Sequence, residues 1–488
     1  MRDMLFTLDR EAKKSLQAQI REFLVTAILE GHLKAREKMP STRRMSEQLG
    51  VSRNTVVLVY QGLTDDGYLL ANERSGYFVA ETMLEPLPIM RDREIIKGNN
   101  EVDWQRWILK NPTTQTNIEK PLDWQSCEFP FVYGQSDPSL FPISDWRDCA
   151  YKVVGKKWVD AWSADTPDND DDMLVDQIRT RILPRRGILV DEDQILVTMG
   201  AQMGLYLIAS LLVDSSSRLA IEDPGYSDVR NIFRLRTQNI IPIAVDELGL
   251  PVDKRIRSAD IIYTTPSHQF PTTVTMPFQR RKELLASASK NNALIIEDDY
   301  ELETNYRGKH IPALKSLDRD GRVIYVGSFS KTLFPGLRLG FMVASKELIS
   351  EARALRRLMM RHPPANNQRI TAFFLSLGYY DVHLRRLHRV YRQRWEAMYE
   401  AFDNEPSMLT NVPGFGGTSF WVKGPDDLDA ELLAKKAFEQ GIIIEPGRVY
   451  YAEEPRPKNY FRLGFSSISS ERIGPGINKL CGIMRELK

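Results

Sequence analysis

The 488-residue sequence has only three cysteines, and they lie far apart at positions 127, 149 and 481. An odd, dispersed set argues against a disulfide framework and against a cysteine-rich zinc site, so we predict ordinary thiols and no metal centre. No apolar run approaches the 18 or more residues of a membrane span. The first ten residues mix charges and lack the apolar core of a secretory signal. We therefore expect a cytoplasmic protein without a membrane anchor.

The sequence also lacks an excess of either charge, because 66 Lys and Arg residues stand against 65 Asp and Glu residues. The net charge of +1 excludes a globally basic protein but leaves local patches open. Apolar residues make up 42% of the chain, which is a globular composition. The length is too great for one ordinary domain, so we predict two or three compact units.

The first 80 residues have the pattern of three helices and a hairpin. Apolar residues recur at three- and four-residue spacing over 15–30, which predicts an amphipathic helix. A second helix is expected over 41–49, and a third begins after Ser52 as its N-cap. Short apolar stretches at 68–70 and 77–80 flank a polar turn and predict a hairpin. Together, the three helices and the hairpin predict a winged helix-turn-helix.

Basic residues concentrate in this segment, where six Lys and Arg residues against two Glu residues over 31–56 give a local net charge of +4. Such a patch can neutralise phosphates, and the start of the third helix is where such helices meet the major groove. A solvated basic face is the alternative. A single module rarely binds specifically, so we expect a homodimer on two half-sites of a double-stranded DNA operator. The predicted DNA contacts are Ser41, Arg43, Arg44, Ser52, Arg53, Asn54, Thr55 and, at the wing tip, Gly76.

Proline, glycine and asparagine residues interrupt any periodicity over residues 81–128, so we predict a flexible linker there. From residue 129 to 488, apolar strand-like runs alternate with helical stretches, which predicts an α/β domain with a mostly parallel sheet. From about residue 395 the pattern becomes mixed and indicates a small α+β lobe. The strand-like runs are 195–198, 219–222, 240–245, 261–264, 294–298, 323–326 and 339–344.

The densest polar cluster is Ser328-Phe329-Ser330-Lys331, followed by Arg338. One amine can form an imine with an aldehyde cofactor, and hydroxyls and a guanidinium can hold its phosphate. Lys331 would supply the amine, while Ser328, Ser330 and Arg338 would hold the phosphate. A solvated surface loop is the alternative, and the full spacing disfavours it.

A second polar group ends the strand-like run at Asp298-Asp299-Tyr300. Side chains alternate along a strand, so Asp298 and Tyr300 share one face and Asp299 faces away. At the carboxyl end of a parallel strand this pair can reach one pocket. Asp298 would pair with a protonated pyridine nitrogen, and Tyr300 would hydrogen-bond the phenolate oxygen of the ring.

Three more features complete the predicted pocket. Small residues at a strand-to-helix junction leave backbone amides for an anion, so Ala201 and Gln202 are predicted phosphate contacts. Tyr226, after another strand, either stacks on the cofactor ring or is a core or rim tyrosine. Arg462 lies in an apolar strand, which is costly unless it meets a carboxylate. That carboxylate belongs either to a bound substrate or to a structural ion pair.

The motif Ser-x-Ser-Lys-x6-Arg at 328–338, and the order of all these motifs, resemble fold-type-I aminotransferases of class I/II over residues 130–488. The segments 39–44 and 50–56 resemble the GntR winged-helix family. Both together, with Pro-Ser-His-Gln-Phe-Pro-Thr at 266–272, resemble the MocR subfamily of bacterial transcription regulators. The resemblance implies pyridoxal 5′-phosphate (PLP) held by Lys331 as a Schiff base, a head-to-tail homodimer and a nucleoid-associated protein.

The sequence departs from the aminotransferase pattern at two places. Phe270 stands where the class usually has an asparagine that is hydrogen-bonded to the phenolate oxygen. Phe270 cannot make this bond, so Tyr300 would have to hold the oxygen, with His268 and Gln269 as further candidates. His268 is equally well interpreted as a core histidine. The stretch 416–419, Gly-Gly-Thr-Ser, stands where relatives often show Gly-Leu-His, which bears on effector selectivity.

Two functional hypotheses follow. In the first, a transcription regulator senses an amino-containing, carboxylate-bearing effector through an external aldimine at the Lys331 site, with Arg462 holding the carboxylate. In the second, an active PLP-dependent aminotransferase carries a DNA-binding domain. Phe270 disfavours efficient transamination and hence the second hypothesis. A structural domain that has lost the cofactor is a third, weaker interpretation.

Overall fold

The computed structural model describes residues 8–12, 14–73, 75–81, 102–301, 303–306, 311–403, 405, 408–411 and 416–487. The chain divides into two compact units, residues 1–107 and 108–488. The prediction of a linker over 81–128 is therefore wrong at its end, because residues from 108 onward pack with the second unit. Residues 82–101 of that prediction lie outside the described part.

The described part of the first unit contains the three predicted helices and the predicted two-stranded wing, followed by one short helical turn. Ser15, Ser41 and Ser52 each accept a backbone N–H at a helix start, which satisfies a donor that the helix leaves unpaired. The second helix ends at Gly50, whose φ of +60° is a conformation that glycine adopts without steric cost. The elements are α1 (Leu16–Leu29), α2 (Thr42–Leu49), α3 (Arg53–Asp65), β1 (Leu69–Asn72), β2 (Gly76–Val79) and a short α4 (Trp104–Trp107).

The apolar faces of these helices form one core. Ile20 and Leu24 of α1 meet Val56, Tyr60 and Leu63 of α3, and all five are fully buried. The spacing of three and four residues within each helix is the pattern that predicted them. The helical bundle therefore positions the start of α3 and the wing.

A seven-stranded sheet organises the second unit, and all seven predicted runs are strands in it. The order is β4-β10-β9-β8-β7-β5-β6, with β10 antiparallel to both neighbours and every other pairing parallel. A short strand, β3 (Phe129–Pro130), precedes this sheet in the sequence and is not part of it. The strands of the sheet are β4 (Ile195–Thr198), β5 (Leu219–Asp223), β6 (Ile240–Ala244), β7 (Ile261–Thr264), β8 (Leu294–Asp299), β9 (Val323–Ser328) and β10 (Gly340–Val343).

Helices cover both faces of this sheet. Along β4, Ile195 and Val197 belong to one hydrophobic cluster and Leu196 to another, as expected for a strand buried on both sides. The helices are α5 (Ile143–Val154), α6 (Asp160–Ser163), α7 (Asp172–Gln177), α8 (Ala201–Leu212), α9 (Ser227–Arg234), α10 (Phe278–Lys290), α11 (Leu314–Leu317), α12 (Lys346–Met360) and α13 (Ala365–Ser376).

The remaining residues form the predicted α+β lobe, around a four-stranded sheet of order β11-β12-β15-β14. Its predicted start at residue 395 falls inside a 25-residue helix, because the buried face of that helix continues from Tyr380 to Phe402. The elements are α14 (Tyr379–Asp403), β11 (Leu409–Asn411), β12 (Ser419–Lys423), α15 (Ala430–Glu439), β13 (Ile442–Ile443), β14 (Glu445–Pro446), β15 (Tyr460–Gly464) and α16 (Ser470–Glu486). None of the helices described is both long and apolar enough to cross a membrane.

Candidate functional site

A cavity of about 300 Å³ lies at the carboxyl ends of the parallel strands of the large sheet. This is the edge at which ligands bind in open α/β sheets, because strand ends and helix starts meet there. Every residue predicted to contact the cofactor lines this cavity: Ala201, Gln202, Tyr226, Asp298, Tyr300, Ser328, Ser330, Lys331 and Arg338.

Lys331 follows β9 and points its amine into the cavity. Its Nζ lies 3.9 Å from the centre of the Tyr133 ring. Burial lowers the pKa of Lys331 to about 7, and the nearby cation of Lys120 adds to the shift. A side chain at Gly134 would place its Cβ 2.5 Å from Lys331 Nζ, so glycine keeps room for the amine. The result is a buried lysine with a large neutral, nucleophilic fraction near neutral pH.

Asp298 and Asp299 face opposite ways, as the alternation along β8 predicts. Asp298 lines the cavity and accepts a hydrogen bond from the Tyr263 hydroxyl at 2.8 Å, while its Oδ1 has no partner among the described residues. Burial raises the pKa of Asp298 to about 7. Asp299 pairs with the Arg186 guanidinium at 2.7 Å on the other side. The unpartnered oxygen of Asp298 fits the protonated ring nitrogen of PLP, whose charge would favour the carboxylate form.

Tyr300 is the cavity residue that fits the phenolate oxygen of the cofactor. Its hydroxyl is buried and has no partner in the described part of the chain. Phe270 packs edge-to-face against it, with 5.6 Å between ring centres, and offers no hydrogen bond. Gln269 donates instead to Glu222 and to backbone carbonyls, and neither His268 nor Gln269 lines the cavity. The structure therefore supports Tyr300 alone of the three candidates.

The predicted phosphate end combines a helix start with hydroxyls and a guanidinium. Helix α8 begins after Gly200 without a side-chain cap, so its first amides are available to an anion. The Ser330 amide donates to the Ser328 hydroxyl at 3.1 Å. Arg338 donates to the Met199 carbonyl at 3.0 Å, and a Cβ at Gly200 would lie 3.1 Å from its Nη2. The small residue at the junction therefore lets the guanidinium approach the helix start.

Arg462, on β15, is fully buried beside the cavity. Its Nε donates to the Ser419 hydroxyl at 3.0 Å. The 416–419 stretch, which differs from the aminotransferase pattern, therefore helps to hold the Arg462 side chain. Its Cζ lies 3.2 Å from the ring centre of Tyr133 and 4.2 Å from that of Phe270. Its Nη1 and Nη2 have no partner among the described residues. No structural ion pair to Arg462 is found in that part of the chain, so two buried donors remain for a ligand.

Several residues that line the cavity were not predicted from the sequence. Asp228 accepts hydrogen bonds from Tyr226 at 3.0 Å and from Gln202 at 3.1 Å, so both predicted residues are held by an unpredicted carboxylate. Tyr263 contacts Asp298 because β7 pairs with β8, and the sequence of neither strand shows that they are neighbours. No sequence signal marked the other residues either, which are Ile118, Lys120, Tyr133, Gly134, Gln135 and Pro335.

The predicted DNA contacts lie on α2, on the first turn of α3 and at the wing. Ser41 and Ser52 also act as N-caps, and the Ser52 and Thr55 hydroxyls lie 2.8 Å apart. Arg43 is paired with Glu47 four residues on, at 3.2 Å. Gly76 has a φ of +97°, and no atom lies within 4 Å of where its Cβ would be. Arg44, Arg53 and Asn54 are exposed. The exposed residues of this set are therefore available to DNA.

Both units match known protein families. The model of aminotransferase class I and II matches residues 171–480, and that of the bacterial regulatory proteins of the gntR family matches residues 16–79. The HTH-type transcriptional regulator TauR of Rhodobacter capsulatus is 40% identical over 98% of this chain and 99% of its own. The probable rhizopine catabolism regulatory protein MocR of Rhizobium meliloti is 31% identical over 98% of this chain and 95% of its own.

Among solved structures, the chain resembles LysN, the alpha-aminoadipate aminotransferase of Thermus thermophilus, in complex with N-(5′-phosphopyridoxyl)-L-leucine. The two are 26% identical, with a TM-score of 0.72, over 79% of this chain and 99% of LysN. The predicted fold class is confirmed, and the PLP-dependence of this class of fold confirms the predicted cofactor.

Proposed function

Because the chain belongs to the MocR subfamily of GntR-type transcription regulators, with an aminotransferase-like PLP domain that follows the winged helix in the sequence, we propose that it senses a small amine. The effector binds at Lys331 and carries an acid group that Arg462 holds. The observation that carries this proposal is the pair of unpartnered guanidinium nitrogens, buried beside the Lys331 cavity. A buried arginine without a counter-ion is unfavourable until an anion arrives.

When bound, PLP supplies an aldehyde carbon for which Lys331 and an incoming amine compete. The protein residues around it bind and orient. Asp298 would hold a positive charge at the ring nitrogen, Tyr300 would donate to the ring oxygen, and the start of α8 with Arg338 would bind the phosphate. Lys331 would then be a free amine in the effector complex, and Arg462 would hold the acid group of the effector. The effector-bound protein therefore makes contacts that the effector-free protein lacks. The resulting difference in free energy between the two states is what a switch requires.

On the DNA side, we propose that the exposed residues of α2, α3 and the wing contact an operator in the bacterial cytoplasm, at the nucleoid. Local basic charge provides affinity, and the α3 start enters the major groove. A homodimer would place two such heads on two half-sites. Effector binding then changes how the heads are held, and so changes operator affinity or footprint.

An active aminotransferase is the second candidate, favoured by the presence of Lys331, Asp298, Tyr300 and Arg462 at one cavity. Phe270 weighs against it, because a phenyl ring cannot donate the hydrogen bond that the usual asparagine gives. Steady conversion of amino donor and oxo acid at about 1 to 1000 per second would support this candidate. A single binding equilibrium without turnover supports the regulator.

The test compares wild type, Lys331→Ala and the surface control Lys290→Ala by DNA binding to the promoter of the protein's own gene. Each protein is loaded with PLP and titrated with a panel of amines. We expect K331A to bind the promoter but to lose both the imine absorbance and the response to amines, whereas K290A behaves as wild type. A response that persists in K331A, or a wild type in which neither PLP nor any amine changes DNA binding, refutes the proposal.

A further inference from the structure

Three basic side chains surround the ring of Tyr133. Lys331 Nζ lies 3.9 Å from the ring centre, Arg462 Cζ 3.2 Å and Lys120 Nζ 5.8 Å. Lys331 and Lys120 are also close to each other, because a Cβ at Gly134 would lie 2.5 Å from one Nζ and 3.4 Å from the other. Cations at such spacing repel each other unless anions lie between them. The first two have predicted roles, and Lys120 has none.

Lys120 reaches the cavity from an irregular segment, residues 115–120, which we call the strap. Asn231 anchors the strap: its carbonyl accepts from Gln115 at 3.0 Å, and its amide donates to the Thr116 carbonyl at 3.0 Å. Ile118 packs against the aromatic cluster that contains Tyr133 and also lines the cavity. Lys120 itself donates to the Tyr133 carbonyl. The strap therefore holds Lys120 at the cavity wall without any regular secondary structure.

The acids nearby only partly balance these cations. Glu445 lies 3.8 Å from Lys120 Nζ, a long ion pair, and also accepts from the Tyr133 amide at 3.2 Å and the Tyr450 hydroxyl at 2.9 Å. Glu301 accepts from the Tyr133 hydroxyl at 3.2 Å. Neither acid is within ion-pair distance of Arg462 in the described part of the chain. Burial lowers the pKa of Lys120, although Glu445 opposes the shift, so an arriving anion would favour its charged form.

We propose that Lys120 determines effector specificity by binding, together with Arg462, the acid group of the effector. This inference rests on the proposed function. Both side chains lie against the ring of Tyr133. Burial lowers the pKa of Lys120 and the charge of Arg462 adds to the shift, so the two groups are close enough to interact. In the proposed complex, one acid group with several oxygens is held by the Arg462 fork and by the Lys120 ammonium. The cavity then selects amines that carry such a group, and Lys120 increases their advantage over plain amines.

The test measures the preference of PLP-loaded protein for 3-aminopropanoate over propylamine, which has the same chain without the acid. Both are titrated by the change in cofactor absorbance, in wild type, Lys120→Met and Lys120→Arg. Lys110→Met is the control, since Lys110 is an exposed lysine in the segment just before the strap. We expect K120M to reduce the preference about tenfold, as for loss of one charge-assisted hydrogen bond. K120R and K110M should keep the wild-type preference.

The outcomes separate this inference from the function on which it rests. If K120M weakens both probes equally, Lys120 only ties the strap to Glu445, and the inference fails while the proposed function stands. An unchanged preference in K120M also overturns it. If no amine of the panel, these two probes included, changes the absorbance of wild type, the proposed function fails and the inference about Lys120 fails with it. Should K120M not retain the cofactor, Lys120→Gln, which keeps a donor for the Tyr133 carbonyl, takes its place.

Discussion

Replacing Arg462 by methionine should weaken the binding of an acid-bearing amine at least about 100-fold. The guanidinium is fully buried, and its Nη1 and Nη2 have no partner among the described residues. A carboxylate accepts from both, and each hydrogen bond to a charged group contributes about 1.5–3 kcal/mol. Two such bonds give about 3–6 kcal/mol. Because about 1.4 kcal/mol is tenfold in affinity, even the lower value corresponds to more than about 100-fold.

Methionine and lysine separate shape from charge at this position. Methionine is apolar and flexible enough to fill the space between the rings of Tyr133 and Phe270. Lysine keeps the charge but lacks the planar fork, so Arg462→Lys should lose only about tenfold. The assay is an absorbance titration of PLP-loaded protein with a series of ω-amino acids, from glycine to 5-aminopentanoate. Alkylamines of the same chain lengths are the control, and their affinity should be the same in all three proteins.

Two results would refute this reasoning. If R462M binds every amino acid of the series as strongly as wild type does, the acid group lies elsewhere in the cavity. If R462M loses affinity equally for amino acids and alkylamines, Arg462 only supports the aromatic wall. The chain length at which the difference between wild type and R462M is largest would measure the spacing between the Lys331 and Arg462 sites.

Two other predictions concern the cofactor and the DNA. Burial and Lys120 lower the pKa of Lys331 from 10.5 to about 7, and only the neutral amine attacks an aldehyde. The rate of PLP uptake by apo protein should therefore rise with pH and level off above about pH 7. A stopped-flow rate that still climbs tenfold per pH unit between pH 8 and 10 would contradict this. Arg53→Ala should weaken operator binding and reduce the slope of log affinity against log salt by about 0.9. The exposed Arg257→Ala is the control, and an unchanged slope in R53A would place Arg53 away from the phosphates.

The sequence predicted the large sheet and half of the site because both depend on local periodicity. Each of the seven strands is four to six residues long and contains a run of apolar residues, and burial on both faces makes such runs continuous. Asp298 and Asp299 could be assigned to opposite faces from their order alone, since the period of a strand is two residues. Ser41 and Ser52 were recognisable as helix starts because a short hydroxyl side chain satisfies a free amide there.

Features that depend on tertiary contacts were not predictable in this way. The lobe boundary predicted at residue 395 lies inside α14, because the buried face of α14 continues past that residue and the periodicity does not change there. The Tyr263 contact with Asp298 depends on which strands are neighbours, and the strand order is not written in either strand. Asp228 looks like an ordinary acid of the first turn of α9, although it holds Tyr226 and Gln202.

Arg462 and Lys120 show why one cation of the cavity was found and the other was missed. Arg462 stood out because apolar residues surround it in sequence, and a charge in such a run is costly without a partner. Lys120 lies in a polar, aperiodic segment, where a lysine is expected to be solvated. An irregular segment anchored by side-chain hydrogen bonds has the same composition as a flexible linker, because both lack regular backbone pairing. The difference lies in whether a partner such as Asn231 stands opposite, which only the folded second unit determines.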